Sequence, residues 1–214
     1  MTMEPSDSWL EERLFDHRIV LCRGILDDAL AGRVSAQLMA LDALGDDAIE
    51  LQLDSQGASL EAAWTLLDVI DLLGVPVNIV CAGRVEGSAV GVLSAGTRRT
   101  ALPHTRFRLT DPEVEISGRA SELGTLLDHH TGRLDRLHER VALSAGRPVS
   151  EVAADFRAGR ALDAAEALRY RLVDDIAGDE LPIRSIGSTR RRSVHGRRPD
   201  TSEPLGFRPR PRHP

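Results

Sequence analysis

Residues Val75–Gly96 read VPVNIVCAGRVEGSAVGVLSAG: an apolar run, a glycine-bounded turn at Gly83–Ala89, and a small-residue helix pattern closing on Ala-Gly. A buried strand that turns tightly into a helix puts the turn at the carboxyl end of a parallel sheet, where α/β proteins keep their chemistry. The turn carries one hydroxyl, Ser88, and neither histidine nor cysteine. Ser88 is thus the first candidate nucleophile, and the rest of the chain decides whether anything activates it.

Upstream, two more strand–helix units lead into this stretch. Arg18–Gly24 (RIVLCRG) reads as a buried strand, and Asp27–Leu44 spaces Leu30, Val34, Leu38 and Leu41 at helical intervals behind an Asp27-Asp28 start. Ile49–Leu53 (IELQL) alternates like a strand with one wetter face, DSQGAS follows as a turn, and Leu60–Leu73 reads as a helix. Trp9–Phe15 is an amphipathic lead-in. The order β-α-β-α-β predicts a parallel sheet with right-handed crossovers. Downstream, Thr100–Leu102 and Arg106–Leu109 read as short strands and Glu113–Ser117 (EVEIS) as an exposed one. Arg119–Ser144 carries a helical pattern through Leu123, Leu126, Leu127, Leu134, Leu137 and Val141. At 1.5 Å per residue that helix reaches about 40 Å, too long for the body and suited to a projecting arm.

Composition sets the outer limits. A chain of 214 residues, 42% hydrophobic and 28% charged, builds one domain with a full core. Aromatic content of 3% leaves stacking on bases without material, so nucleic acid is not an expected partner. Apart from histidine every basic side chain is arginine. Cys22 and Cys81 sit in apolar runs without metal or redox spacing, so buried structural thiols, no metal and no cofactor are expected. No stretch has the length of a membrane span, and the polar start is not signal-like, which predicts a cytoplasmic protein. From Arg184 onward nine arginines face only Asp200 and Glu203 among Pro, Ser and Gly, the composition of a disordered basic tail. The expected organisation is a flexible N-terminus over 1–8, a domain over 9–183 with its arm at about 113–145, and the tail over 184–214.

The turn DSQGAS, the run CAGRVEGSAVGVLSAG, then LPHTRFRLTDP, a long helix ending in AG, and RALDAAEALRYRLVDDI resemble the proteolytic subunit of the Clp protease, the S14 serine peptidases. The corresponding family segments read approximately NSPGG, CxGxAASMGAxLLxAG, LPxSRxMIHQP and FxSAxEAxxYGLVDxI. The resemblance covers roughly Trp9–Ala177. It implies the Clp protease/crotonase-like fold: a parallel-sheet α/β body with a handle of one strand and a long helix. It further implies seven-membered rings stacked in pairs and fed by a Clp-type AAA+ ATPase.

Carried over residue by residue, the family's catalytic serine falls on Gly87, its histidine on Thr110 and its aspartate on Gly159. None of these supplies the nucleophile, base or orienting acid that acyl transfer by serine requires. The oxyanion donors fall on the backbone of Ala58, preceded by Gly57, and of Ser88. An active serine endopeptidase with a displaced site, using Ser88 with His104 or another base, is the alternative. A one-residue shift at a strand-to-helix turn, however, swings the side chain away by roughly 100°, and Asp111 is expected on the face opposite Thr110. His129, His130 and His138 are expected to be solvated or at an interface on the long helix. The family's aromatic ATPase-docking positions fall on Glu50 and Gln52, its ring-linking arginine on Ala158 beside Arg157, and the handle glycines on Val114 and Glu115. The expected function is a non-catalytic structural or regulatory Clp subunit that co-assembles with active homologues, with peptides as ligands of its cleft. An acyl-CoA enzyme of crotonase type finds no acidic pair here, and a stand-alone remnant without partners is the remaining alternative.

Overall fold

The computed structural model describes residues 5–114 and 119–178. The basic tail and most of the EVEIS segment fall outside them. The chain runs α1 (Pro5–Asp16), β1 (Ile19–Arg23), α2 (Asp28–Leu44), β2 (Ile49–Ser55), α3 (Leu60–Leu72), β3 (Val77–Glu86) and α4 (Ala89–Val92, continued by one 3₁₀ turn to Ala95). It continues through β4 (Arg98–Ala101), β5 (Arg106–Arg108), α5 (Ala120–Ala145), α6 (Val149–Ala158), β6 (Ala161–Asp163), α7 (Ala164–Tyr170) and β7 (Asp175–Ile176). Proline at the first helical position of α1 loses no hydrogen bond, so that helix begins inside the segment expected to be flexible. Asp27 caps α2 by accepting the Leu30 N–H, and Ser59 caps α3 by accepting that of Ala62.

The sheet has the order β1-β2-β3-β4-β7, with every neighbour parallel. At its far end β3 changes partner: Asn78–Cys81 pair with β4, whereas Arg84–Glu86 pair with β5, which is in turn antiparallel to β6. The strand therefore runs on to Glu86, and the turn expected at Gly83–Ala89 shrinks to Gly87-Ser88. Gly83 is a kink within the strand. Its φ of +58° is a left-handed conformation, and an added Cβ would stand 2.6 Å from Asp54 Oδ1. The same carboxylate accepts the Arg84 N–H at 3.0 Å. Glycine is required there on both counts.

Alternate residues of β1, β2 and β3 (Val20 and Cys22; Ile49, Leu51 and Leu53; Val77, Ile79 and Cys81) are buried against α2, α3 and α4. Helix α5 divides into two parts. Residues 121–129 are all exposed, whereas Leu137, His138, Val141, Ala142 and Ala145 are buried in the body. An arm standing clear of its own domain at one end and rooted at the other is what the length argued for. Glu113 and Val114 are not in a strand, and residues 115–118 lie outside the described residues.

Candidate functional site

The end of β3 delivers the chain to Gly87, whose φ of +62° lets it leave the strand and start α4 within one residue. Its N–H donates to the Arg108 carbonyl at 3.0 Å, tying the turn to β5. A Cβ built on Gly87 would lie 3.7 Å from the Thr110 carbonyl oxygen and 3.9 Å from Thr110 Cγ2. Gly159 ends α6 in the left-handed conformation, at φ +66°, and its Cβ position lies 3.6 Å from Arg108 Nη2. Positions 87, 110 and 159, distant in sequence, thus gather along β5.

Gly159 is held firmly from behind. The hydroxyl of Tyr170, whose side chain is buried, donates to Asp155 at 2.8 Å. Burial, and then that hydrogen bond, push the phenol well above its usual range. Asp155 also receives Arg160 at 3.0 Å, and the Arg160 carbonyl accepts the Leu109 N–H at 2.9 Å. The α6–β6 corner is in this way fixed against β5.

The site can supply donors but not a nucleophile. Gly87 and Gly159 have no side chains, and the partly buried Thr110 hydroxyl takes up no proton near neutral pH. Ser88 is wholly buried, and its Oγ has no hydrogen-bond partner among the described residues. Its backbone N–H and that of Ala58 likewise find no acceptor among the described residues. The Gly57 carbonyl, by contrast, is occupied by the Leu26 N–H and the Ser55 hydroxyl. Of these two unspent N–H groups on adjoining strand ends, only the one on the half-buried Ala58 belongs to a residue with exposed surface to offer a carbonyl or an anion, and nothing here generates an attacking group.

The histidines are distributed differently from expectation. His138, expected to be solvated or at an interface, is only 3% exposed; its Nε2 lies 3.0 Å from Asp111 Oδ1 and its ring centroid 4.7 Å from that of Phe156. The helix face shared with Leu134, Leu137 and Val141 was the signal that could have revealed this burial. The pair joins the root of α5 to the segment after β5. No hydrogen bond links either residue to Ser88. His104 is exposed in the wall of a cavity of about 590 Å³ lined also by Pro103, Arg106 and Asp163, to which none of positions 87, 110 and 159 contributes. His129 is exposed and His130 partly so.

The remaining sequence candidates take their places on the surface or in the core. Gln52 donates to Glu50 at 2.9 Å and accepts from Arg23 at 3.2 Å, a polar chain across β1 and β2 where the resemblance calls for aromatic rings. Ala158 is exposed, and the neighbouring Arg157 turns back to the Ala153 carbonyl. Burial pushes the Cys22 thiol up to about 12 and Cys81 further, so both are held neutral. Among the described residues no three ligating side chains stand close enough to hold a metal ion, and no helix is long and apolar enough to cross a membrane.

Comparison with known proteins agrees with this frame. The sequence model of the Clp protease family matches residues 5–180. The chain is 33% identical to ATP-dependent Clp protease proteolytic subunit 2 of Thermobifida fusca, over 81% of this chain and 87% of that one. It is 30% identical to subunit 1 of the same organism, over 77% and 76%, and 32% identical to subunit 2 of Gluconobacter oxydans, over 82% and 80%. With its parallel sheet, long helix and strand-end turn matched along this length, the chain belongs to the Clp protease family.

Proposed function

We propose that this chain is a non-catalytic subunit of a Clp-type protease assembly. It would hold its place among active homologous subunits and shape the chamber or its regulation without cutting peptides itself. The carrying observation is the site's composition: glycine at 87 and 159 and threonine at 110, gathered in one place beside two unspent backbone donors. The printed names of the relatives, proteolytic subunits of an ATP-dependent protease, support assembly with partner subunits and an ATPase. One organism carrying both a subunit 1 and a subunit 2 supports a mixed assembly. The polar Arg23–Gln52–Glu50 chain speaks against apolar ATPase loops docking on this subunit, so the ATPase would engage through its neighbours. A cytoplasmic location fits that role.

Ser88 as a displaced nucleophile would need its hydroxyl to reach both substrate and base. Its complete burial argues against this reading. The test is a fluorophosphonate probe and a small peptide ester applied to the purified chain, followed by its isolation from the source cell with intact-mass measurement of what comes with it. The expected result is no labelling of this chain and co-purification with a subunit that labels. Stoichiometric labelling at Ser88, abolished by Ser88→Ala, would overturn the proposal, and a native mass of one chain would remove the assembly part.

A further inference from the structure

The burial pattern of β5 turns Arg106 and Arg108 to the open face and Phe107 to the core. On that face their cross-strand partners are Arg84 and Glu86 of β3, with Asp163 of β6 opposite Arg106. The Asp163 carboxylate is engaged at the start of α7, where it accepts the Glu166 N–H at 2.7 Å. Glu86, the cross-strand partner of Arg108, makes no ion pair with it. Among the described residues the Arg108 guanidinium has no hydrogen-bonded or ionic partner at all. It nevertheless lies, exposed, where positions 87, 110 and 159 gather. Nη2 is 3.6 Å and Nε 3.9 Å from the Cβ position of Gly159, while its own carbonyl holds the Gly87 N–H.

We propose that this surface binds peptides by their C-terminal carboxylate, with Arg108 as the charged partner of the anion, an inference that rests on the site being non-hydrolytic. A planar guanidinium takes a carboxylate through two parallel hydrogen bonds, and charge-assisted bonds of this kind are about twice as strong as neutral ones. The half-buried Ala58, just beyond the end of β2, has a further unspent N–H, and no base stands by to do more than bind. An internal peptide carbonyl can satisfy an N–H but leaves the guanidinium without a counter-charge. The reaction class that supplies such ligands is peptide hydrolysis, which leaves a new carboxylate on the amino-side product and a new amine on the other. A product-binding surface beside cutting neighbours would retain fragments and slow their exit.

The experiment uses the full chain and three N-terminally fluorescein-labelled alanine-leucine hexapeptides: the free acid, the C-terminal amide, and an amide carrying one internal aspartate. Anisotropy titrations report affinity, and mass spectrometry of each mixture reports whether the peptide stays intact. The free acid is expected to bind about tenfold or more tightly than the amide, the scale of a charge-assisted hydrogen bond. The aspartate peptide should behave as the amide does. Arg108→Gln, at an exposed position, should remove the preference, and Gly159→Asp should reduce it by setting a competing carboxylate beside the guanidinium. Equal affinity for acid and amide, or a preference that survives Arg108→Gln, overturns the inference. So does tighter binding of the aspartate peptide than of the free acid. A cleaved peptide instead overturns the non-catalytic reading, so the two failures are told apart.

Discussion

Restoring the three missing groups, Gly87→Ser with Thr110→His and Gly159→Asp, should not by itself restore hydrolysis, and the structure says why. The space at Gly87 is adequate, since its Cβ would make ordinary contacts at 3.7 and 3.9 Å with Thr110. The backbone is dearer: side chains at φ +62° and +66° cost roughly 1–2 kcal/mol each, a load that a domain stable by about 5–15 kcal/mol survives. The obstacle is Arg108, whose Nη2 stands 3.6 Å from the point where the new aspartate would begin. A carboxylate there pairs with the guanidinium instead of orienting the new histidine. Loss of that orienting role costs roughly 10⁴ in kcat in a serine triad. Adding Arg108→Met, the residue that the family segment MIHQP sets at this position, should release the aspartate. The four-residue variant is then expected to hydrolyse a peptide ester at least about 10³-fold faster than the three-residue variant. Equal rates would refute the role given to Arg108. If neither hydrolyses while both are folded and bind peptide, the assignment of 87, 110 and 159 to one site falls.

Four further outcomes follow from other contacts. Gly83→Ala forces a methyl against Asp54 at a φ of +58° and should destabilise the chain by about 2–3 kcal/mol in urea titration, combining backbone strain with a weakened Arg84 hydrogen bond; a change under about 0.5 kcal/mol would contradict the kink. His138→Leu and Asp111→Asn, measured singly and together at pH 7, should show a coupling of about 1–2 kcal/mol, whereas strict additivity would mean that the buried pair contributes nothing. Burial raises the pKa of Asp174, but its hydrogen bonds to Arg99 win and hold the carboxyl below its ordinary 3.8. The unfolded chain therefore takes up the proton first, and this contribution, present above about pH 4, fades as pH falls through the native value. Melting temperatures of Asp174→Asn should accordingly drop less between pH 5 and pH 3 than those of the parent, and an equal drop would refute the pairing. With Cys22 pushed up to about 12 and Cys81 buried two strands away across Leu53, an aromatic disulfide reagent at pH 8 should leave both thiols unreacted until urea unfolds the chain; rapid native labelling would contradict their burial.

The sheet, the helices packed on it and the projecting α5 were legible because their apolar spacing states the period of each element directly. The reach of β3 was not. Gly83 and Arg84 read locally as the start of a turn, and pairing with β5, a partner some twenty residues further on, together with Val85 against Ser55 of β2, keeps Arg84–Glu86 extended. The resemblance supplied positions 87, 110 and 159 and their lack of a nucleophile, base and acid, but not the contacts that hold them, such as the Gly87 N–H on the Arg108 carbonyl. Nothing in the order of residues tells that the Arg108 guanidinium lies beside Gly159. His138 was missed for a related reason. A histidine in a helix full of charges reads as wet, and burial is decided by which turn of α5 meets α6.

On the proposed non-catalytic reading, the glycines at 87 and 159 connect chemistry to stability. Both occupy left-handed backbone, where glycine alone is free of the steric cost, so a serine and an aspartate in their places would hold their side chains against strain. The frame does not need those side chains. Gly87 is tied to β5 through its own N–H, and the α6–β6 corner is tied by the Leu109–Arg160 hydrogen bond and the Tyr170–Asp155 brace. On that reading, glycine in place of catalytic groups in such a frame costs activity and relieves strain, the usual direction of the trade between stability and function. Arg108 makes the change hard to reverse. An aspartate returning to position 159 meets the guanidinium first, and the ion pair formed there offsets part of its backbone cost while withholding it from any histidine at 110. The effects of the returning residues are therefore coupled through one arginine and should not add. Measured on the variants above, Gly159→Asp should be less destabilising with Arg108 present than in the Arg108→Met background, even though only the latter background leaves the carboxylate free to work.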